Sequence, residues 1–282
     1  MPPVARPLQE IAPEEIDVRE NIVIGKAGSR ELTGNLFLPR PGGATRPAIV
    51  MLHGGGWRKG SPRGVRGYGE LLSRMGFVCL CPGYRLSSEA HWPAQLEDVK
   101  CAVRFLKAMS NEFGLDPERI GVMGDSSGGH LALMCGLDTP WEGSGGYADY
   151  SSTVRAVGAT YAPVRVPHLR TDGERVGLMA SDASDADYDR ASPICYELDS
   201  FPPCILIHGT EDKGVPVSGT IEFHVKLAES DRVVDLHLFA GEGHAFDRRK
   251  PGQEKMVDIA DPSSIYGLTV VRLVGHFFTK YL

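Results

Sequence analysis

The sequence predicts an α/β protein built on a mostly parallel central sheet of about eight strands, with helices on both faces. Three observations carry this reading. From Ala48 onward, short and continuous apolar runs recur, the pattern of strands covered on both sides. Segments with helical spacing fit between those runs. The composition, 42% hydrophobic and 23% charged over 282 residues, is that of an ordinary globular chain long enough to bury a sizeable core.

Residues 1–20 are rich in Pro and Glu and read as an N-terminal arm. Strands are expected at 21–25 and 31–38, separated by the turn signal Lys26-Ala27-Gly28-Ser29. Buried strands follow at 48–52, 77–81, 120–123, 156–161, 204–208 and 233–239. A helix is expected over 95–109, because Leu96, Val99, Val103 and Leu106 fall on one face. Near the C-terminus Asp261 reads as an N-cap and Pro262 as the first helical residue, with Leu268, Val271, Phe278 and Leu282 as the buried stripe. No internal repeat or linker interrupts the pattern. Residues 21–282 therefore read as one domain, with 163–193 as a small insertion after the sixth strand.

Thirty basic residues against 36 acidic ones leave a formal charge of −6. Phosphate binding needs clustered Lys and Arg, so a nucleic-acid partner is not expected. The densest basic runs, Arg58-Lys59 and Arg248-Arg249-Lys250, read as solvated surface. Six cysteines form no CxxC pair. Several sit in apolar runs, and Cys79 and Cys81 share one face of a strand. Reduced core thiols suit a reducing compartment. The N-terminus has no apolar leader core and no run approaches a membrane span, so a cytoplasmic location with no membrane partner is expected.

Glycine is the outlier, at 34 of 282 residues against an average near ~7%. Part of the excess lies at Gly124-Asp125-Ser126-Ser127-Gly128-Gly129, between an expected strand and an Ala/Leu-rich helical stretch. GxSxG in that context is a nucleophile elbow, whose strained central residue needs small neighbours. The string alone is weak evidence, since chance yields roughly 0.3 matches in a chain this rich in Gly and Ser. Its competing reading is an ordinary glycine-rich turn.

His53-Gly54-Gly55-Gly56-Trp57 follows the strand at 48–52. Consecutive glycines expose backbone N–H groups, which a developing oxyanion requires. A phosphate cradle is disfavoured because neither GxGxxG nor GxxxxGK[ST] is present; a structural turn is the other alternative. His53 itself reads as a loop anchor.

A serine nucleophile needs a base and an orienting acid, and on sheets with such an elbow the order is Ser, acid, His. His224 and His276 fall in expected helices and His237 alternates within a strand, whereas His244 sits on a loop after the last strand. Asp212 lies just past the strand at 204–208, where sheet enzymes place their functional groups. Its neighbour Glu211 is the fallback, and the acids between 182 and 189 read as a solvated face.

Together these segments resemble the α/β-hydrolases of the hormone-sensitive-lipase and feruloyl-esterase-like branches, from roughly Leu36 to the C-terminus. The family's HGGGW loop matches 53–57, its GDSAGG elbow 124–129, its HGxxDxxVP acid loop 208–216 and its GxGHxF base loop 241–246. The resemblance implies Ser126 as nucleophile, His244 as base, Asp212 as orienter, and the N–H groups of Gly55, Gly56 and Ser127 as the oxyanion hole. Ser127 replaces the family's usual Ala, which matters little where only the N–H is used. Residues 82–88, PGYRLSS, depart from the DYRLAPE pattern of the capped lipases. With no room for a helical cap before Leu36, the chain is similar to the compact feruloyl-esterase-like branch, with 163–193 as a partial lid.

The expected activity is hydrolysis of small carboxylic esters, short-chain, aromatic or sugar-linked, through an acyl-enzyme. No cofactor or metal is expected. Trp57 is the expected substrate contact; Trp92, Trp141 and Phe246 either line the pocket or pack in the core. An amidase or peptidase of the same fold, and a non-catalytic receptor on it, are the alternatives. The sequence leaves the natural acyl and alcohol groups and the oligomeric state open.

Overall fold

The computed structural model describes residues 11–40, 45–167, 177–249, 256–261 and 263–282. Strands β1 (Ile16–Ala27), β2 (Arg30–Pro39), β3 (Arg46–Leu52), β4 (Val78–Pro82), β5 (Leu115–Asp125), β6 (Ala156–Thr160), β7 (Cys204–Gly209) and β8 (Val234–Phe239) form one sheet in the order β1-β2-β4-β3-β5-β6-β7-β8. The β1–β2 and β2–β4 pairs are antiparallel, and every later pair is parallel.

Strand periodicity divides the core. In β3, Ala48, Val50 and Leu52 face one side while Ile49 and Met51 face the other. The first side is covered by α2 (Ala94–Ala108), α4 (Ser127–Cys135) and α6 (Val217–Glu229). The second is covered by α1 (Arg66–Arg74) and α7 (Gly267–Tyr281). Two shorter helices, α3 (Ser110–Phe113) and α5 (Asp185–Arg190), complete the set. Both sheet faces are buried, which is why the parallel strands read as unbroken apolar runs. Leu96, Val99, Val103 and Leu106 of α2 are all fully buried. Cys79 and Cys81 do share one face of β4, and only Cys195 of the six cysteines is exposed.

Three sequence expectations are corrected. The arm is shorter than 1–20, because β1 begins at Ile16: residues Ile16 to Arg19 pair with Pro39 to Leu36. The Pro-rich character stops at Pro13, and beyond it an alternating strand can form; residues 1–10 of the expected arm lie outside the described residues. The last helix begins at Gly267, not near Pro262, which itself lies outside the described residues. Asp261 instead accepts the Ser263 N–H in a turn ahead of the helix. Leu268 is 40% exposed, and Val270 and Val274 take the core positions. Of the expected insertion, 168–176 lies outside the described residues. No helix among the described residues is long and apolar enough to cross a membrane.

Candidate active site

The parallel strands β5, β7 and β8 each end in a loop that delivers one of the candidate side chains. Strand β5 runs directly into Ser126, held at φ 52° and ψ −119°. A non-glycine residue at positive φ costs roughly 1–3 kcal/mol and persists only where its surroundings dictate it. Here the Ser126 N–H donates to the Thr160 carbonyl at 2.9 Å, and its own carbonyl accepts the His130 N–H at 3.0 Å. Close packing explains the flanking glycines. A Cβ on Gly124 would lie 2.3 Å from the Gly128 backbone, and one on Gly128 would lie 2.4 Å from the Leu52 carbonyl.

The structure brings Ser126, His244 and Asp212 together. His244 Nε2 is 3.0 Å from Ser126 Oγ, and Nδ1 is 2.6 Å from Asp212 Oδ2. A carboxylate only accepts, so Nδ1 carries the ring hydrogen and Nε2 is left to accept from the serine hydroxyl. The ring of Tyr161 packs edge-on against the His244 ring at 4.8 Å. Asp212 is buried. Burial works to raise its pKa, but hydrogen bonds from His208 and His244, the charge of His244 and the Val215 N–H outweigh it. The carboxyl is thus held well below the usual carboxylate range. Glu211, its fallback, is exposed.

The glycine loop after β3 faces the elbow. Gly54 donates its N–H to Asp125 Oδ1 at 3.0 Å, and the Gly55 carbonyl accepts from Arg58 and Lys59, curling the loop. Gly55 and Gly56 adopt φ 131° and 63°. No acceptor among the described residues takes the N–H of Gly55, Gly56 or Ser127. His53 anchors this loop: it stacks on Tyr84 at 4.2 Å, its carbonyl accepts the Tyr84 hydroxyl at 2.8 Å, and burial lowers its pKa to about 4.

Trp57, the expected substrate contact, packs inside the fold. It is 5% exposed, and its indole N–H donates to His130 Nδ1 at 3.2 Å. His130 Nε2 faces the Ala191 carbonyl at 2.7 Å, so the pair ties the glycine loop and α4 to the segment after α5. Trp57 thus braces the glycine loop from within the core. Trp92 and Trp141 pack edge-on at 5.4 Å within the same cluster, and Phe246 is buried against Phe239.

Arg248, read from sequence as solvated surface, is also corrected. It is 8% exposed and its guanidinium is 3.4 Å from Asp125 Oδ1. The adjacent Asp247 accepts the hydroxyls of Tyr68 at 2.6 Å and Tyr161 at 2.7 Å. Arg58 and Lys59 are exposed as expected. Sequence reasoning assigned no role to Asp125, Asp247, Arg248 or His208; Asp125 and His208 carried a local signal, as the Asp of the GDSAGG elbow and the His four residues before Asp212, and the other two carried none.

This sheet order, with a strained serine elbow after β5, an acid after β7 and a histidine after β8, defines an α/β-hydrolase. Within that class the chain belongs to the BD-FAE family, whose model matches residues 35–227. It is 32% identical over 222 residues to Esterase LipC of Mycobacterium tuberculosis, covering 71% of this chain and 53% of LipC, so it spans about half the length of that relative. A truncated carbohydrate esterase from gut microbiota superposes with a TM-score of 0.78 at 23% identity, over 96% of this chain and 99% of that one. A propionate-bound esterase of Thermogutta terrifontis gives 0.78 at 23% identity, over 95% of each chain.

Proposed function

We propose that the chain is a serine carboxylesterase that cleaves small carboxylic esters through an acyl-enzyme, with short acyl groups on simple, aromatic or sugar alcohols as its substrates. The observation that carries this reading is the continuous relay from Ser126 Oγ through His244 to Asp212, at 3.0 and 2.6 Å. Ser126 Oγ attacks the ester carbonyl as His244 Nε2 takes its proton. The Gly55, Gly56 and Ser127 N–H groups receive the oxyanion, a contribution worth about 10²–10³ in turnover per donor. His244 then protonates the departing alcohol, and a water, deprotonated in the same way, releases the acid. Asp212 holds the ring and stabilises its protonated form without taking the proton. The esterases named among the relatives support the choice of ester over amide. Five buried thiols suit a reducing, cytoplasmic setting, which is part of the same proposal.

A fluorophosphonate probe tests the mechanism, and paired p-nitrophenyl acetate and anilide substrates test the class. Labelling at Ser126 with acetate turnover is the expected result. Anilide turnover with a silent ester overturns the ester reading, and folded protein that resists labelling overturns catalysis altogether.

A further inference from the structure

His208 is the penultimate residue of β7, is fully buried, and shares a carboxylate oxygen with the base. Its Nε2 lies 3.2 Å from Asp212 Oδ2 and 3.0 Å from the Val215 carbonyl. Both neighbours only accept, so Nε2 carries a hydrogen. Its Nδ1 lies 2.7 Å from the Thr220 hydroxyl on α6, which fixes the other side of the ring. On Asp212, Oδ1 accepts the N–H groups of Gly214 and Val215 at 2.8 Å each, while Oδ2 accepts from His244 and His208. Four donors thus occupy the roughly four acceptor positions of one carboxylate.

We propose that His208 is a positioning residue for the base, donating to the carboxylate oxygen that holds His244 and so setting how strongly Asp212 retains the His244 proton. This rests on Ser126, His244 and Asp212 acting as the hydrolytic triad. A donor on Oδ2 competes with the His244 N–H and draws charge from the carboxylate. Without it, Asp212 stabilises the protonated His244 ring more, and the base becomes available only at higher pH. His208 therefore keeps the site active toward acid.

The other charged and titratable groups around the relay leave that balance in place. Asp125, on the elbow, interacts with His244 and is paired with Arg248. Tyr161, from the end of β6, packs on His244 but gives its hydroxyl to Asp247. Glu211 and Lys213 of the acid loop are exposed. On α6 the polar partner of His208 is the neutral Thr220, and the β8 residue paired with it is Leu238.

The test is the pH profile of kcat/KM for p-nitrophenyl acetate in the full chain, comparing His208→Leu and His208→Gln. In H208L the acid limb should move up by about half to one pH unit, with kcat on the alkaline plateau within about threefold of the parent. The Gln amide can restore a donor near the Nε2 position, so H208Q should keep the limb within about 0.2 unit. Folded H208L with an unmoved limb overturns the proposal. Should H208L fail to fold, Thr220→Val decides: losing the hydroxyl that orients the ring should move the limb the same way by a smaller step, and no movement overturns it. The His244 ring-proton NMR titration gives the same comparison without turnover. An inactive parent would thus count against the esterase reading, while an unchanged His244 titration would count against the role of His208.

Discussion

The guanidinium of Arg248 sits 3.4 Å from Asp125 Oδ1, and that same oxygen accepts the Gly54 N–H at 3.0 Å. One buried carboxylate therefore ties together the elbow, the glycine loop and the turn that follows His244. Burial pushes the Asp125 carboxyl up, against the opposing pull of Arg248 and the Gly54 N–H. Burial also opposes charge on Arg248, but the nearby carboxyl groups of Asp125 and Asp247 overcome it and keep the guanidinium charged.

Breaking this pair from one side strands the other charge. Arg248→Met should destabilise the protein by about 3–5 kcal/mol, the usual cost of an uncompensated buried partner. The double variant Arg248→Met/Asp125→Asn should lose less than the sum of its two singles, because neither charge then remains. Urea unfolding of the three variants measures the coupling. Simple additivity would show that the two groups do not act as a pair.

The glycines make a sharper contrast. Gly128→Ala places a methyl 2.4 Å from the Leu52 carbonyl and 2.6 Å from that of His53, both backbone atoms that cannot swing away. The expected result is loss of soluble protein or of more than ~3 kcal/mol. Gly56 has φ 63° but nothing within 4 Å of an added Cβ. Gly56→Ala should therefore cost only the left-handed backbone penalty of about 1–2 kcal/mol. Equal losses in the two variants would mean that steric closeness at the elbow is not what selects glycine there.

The contrast also marks what the sequence could and could not reveal. Ser126, Asp212 and His244 were legible because each sits on a short loop directly after an apolar run, and parallel topology puts all such ends on one edge. The sheet itself was legible because burial on both faces leaves a continuous apolar signature. Arg248 was not, since its partner is 123 residues away and a lone arginine in a basic run looks like surface. The packing of Trp57 was hidden for a related reason. A tryptophan beside a glycine loop suggests an open wall, and only the fold reveals His130 waiting for its indole N–H. The first residues of β1 were hidden by the proline-rich residues before them.

Two histidines outside the Ser126–His244–Asp212 relay make stability depend on pH. Burial lowers the pKa of both His53 and His130 from 6.5 to about 4. Between those values the unfolded chain takes up protons that the folded chain refuses, so stability is full above pH 6.5 and falls toward pH 4. Each histidine contributes a slope of up to about 1.4 kcal/mol per pH unit in that window. Asp212, whose pKa is depressed, adds its loss only below its ordinary 3.8. The urea midpoint should thus decline between pH 6.5 and 4, and His130→Gln should flatten the slope. A parent midpoint constant over that range would rule out neutral burial of both rings.

The triad variants should behave as one unit. On the proposed mechanism Ser126→Ala removes the nucleophile, and turnover should drop by about 10⁴–10⁶-fold. His244→Ala should cost a similar factor, because an unactivated serine hydroxyl is a poor nucleophile at neutral pH. Adding His244→Ala to Ser126→Ala should then cost almost nothing more, since the base has no proton left to take. Asp212→Asn should fall short of either, as the ring loses its orienting charge but keeps contact with the serine. Steady-state kinetics on p-nitrophenyl acetate, with protein purified to exclude contaminating esterase, separates these cases. If the Ser126 and His244 losses instead multiply in the double variant, the two residues act independently and the relay is not the catalytic path.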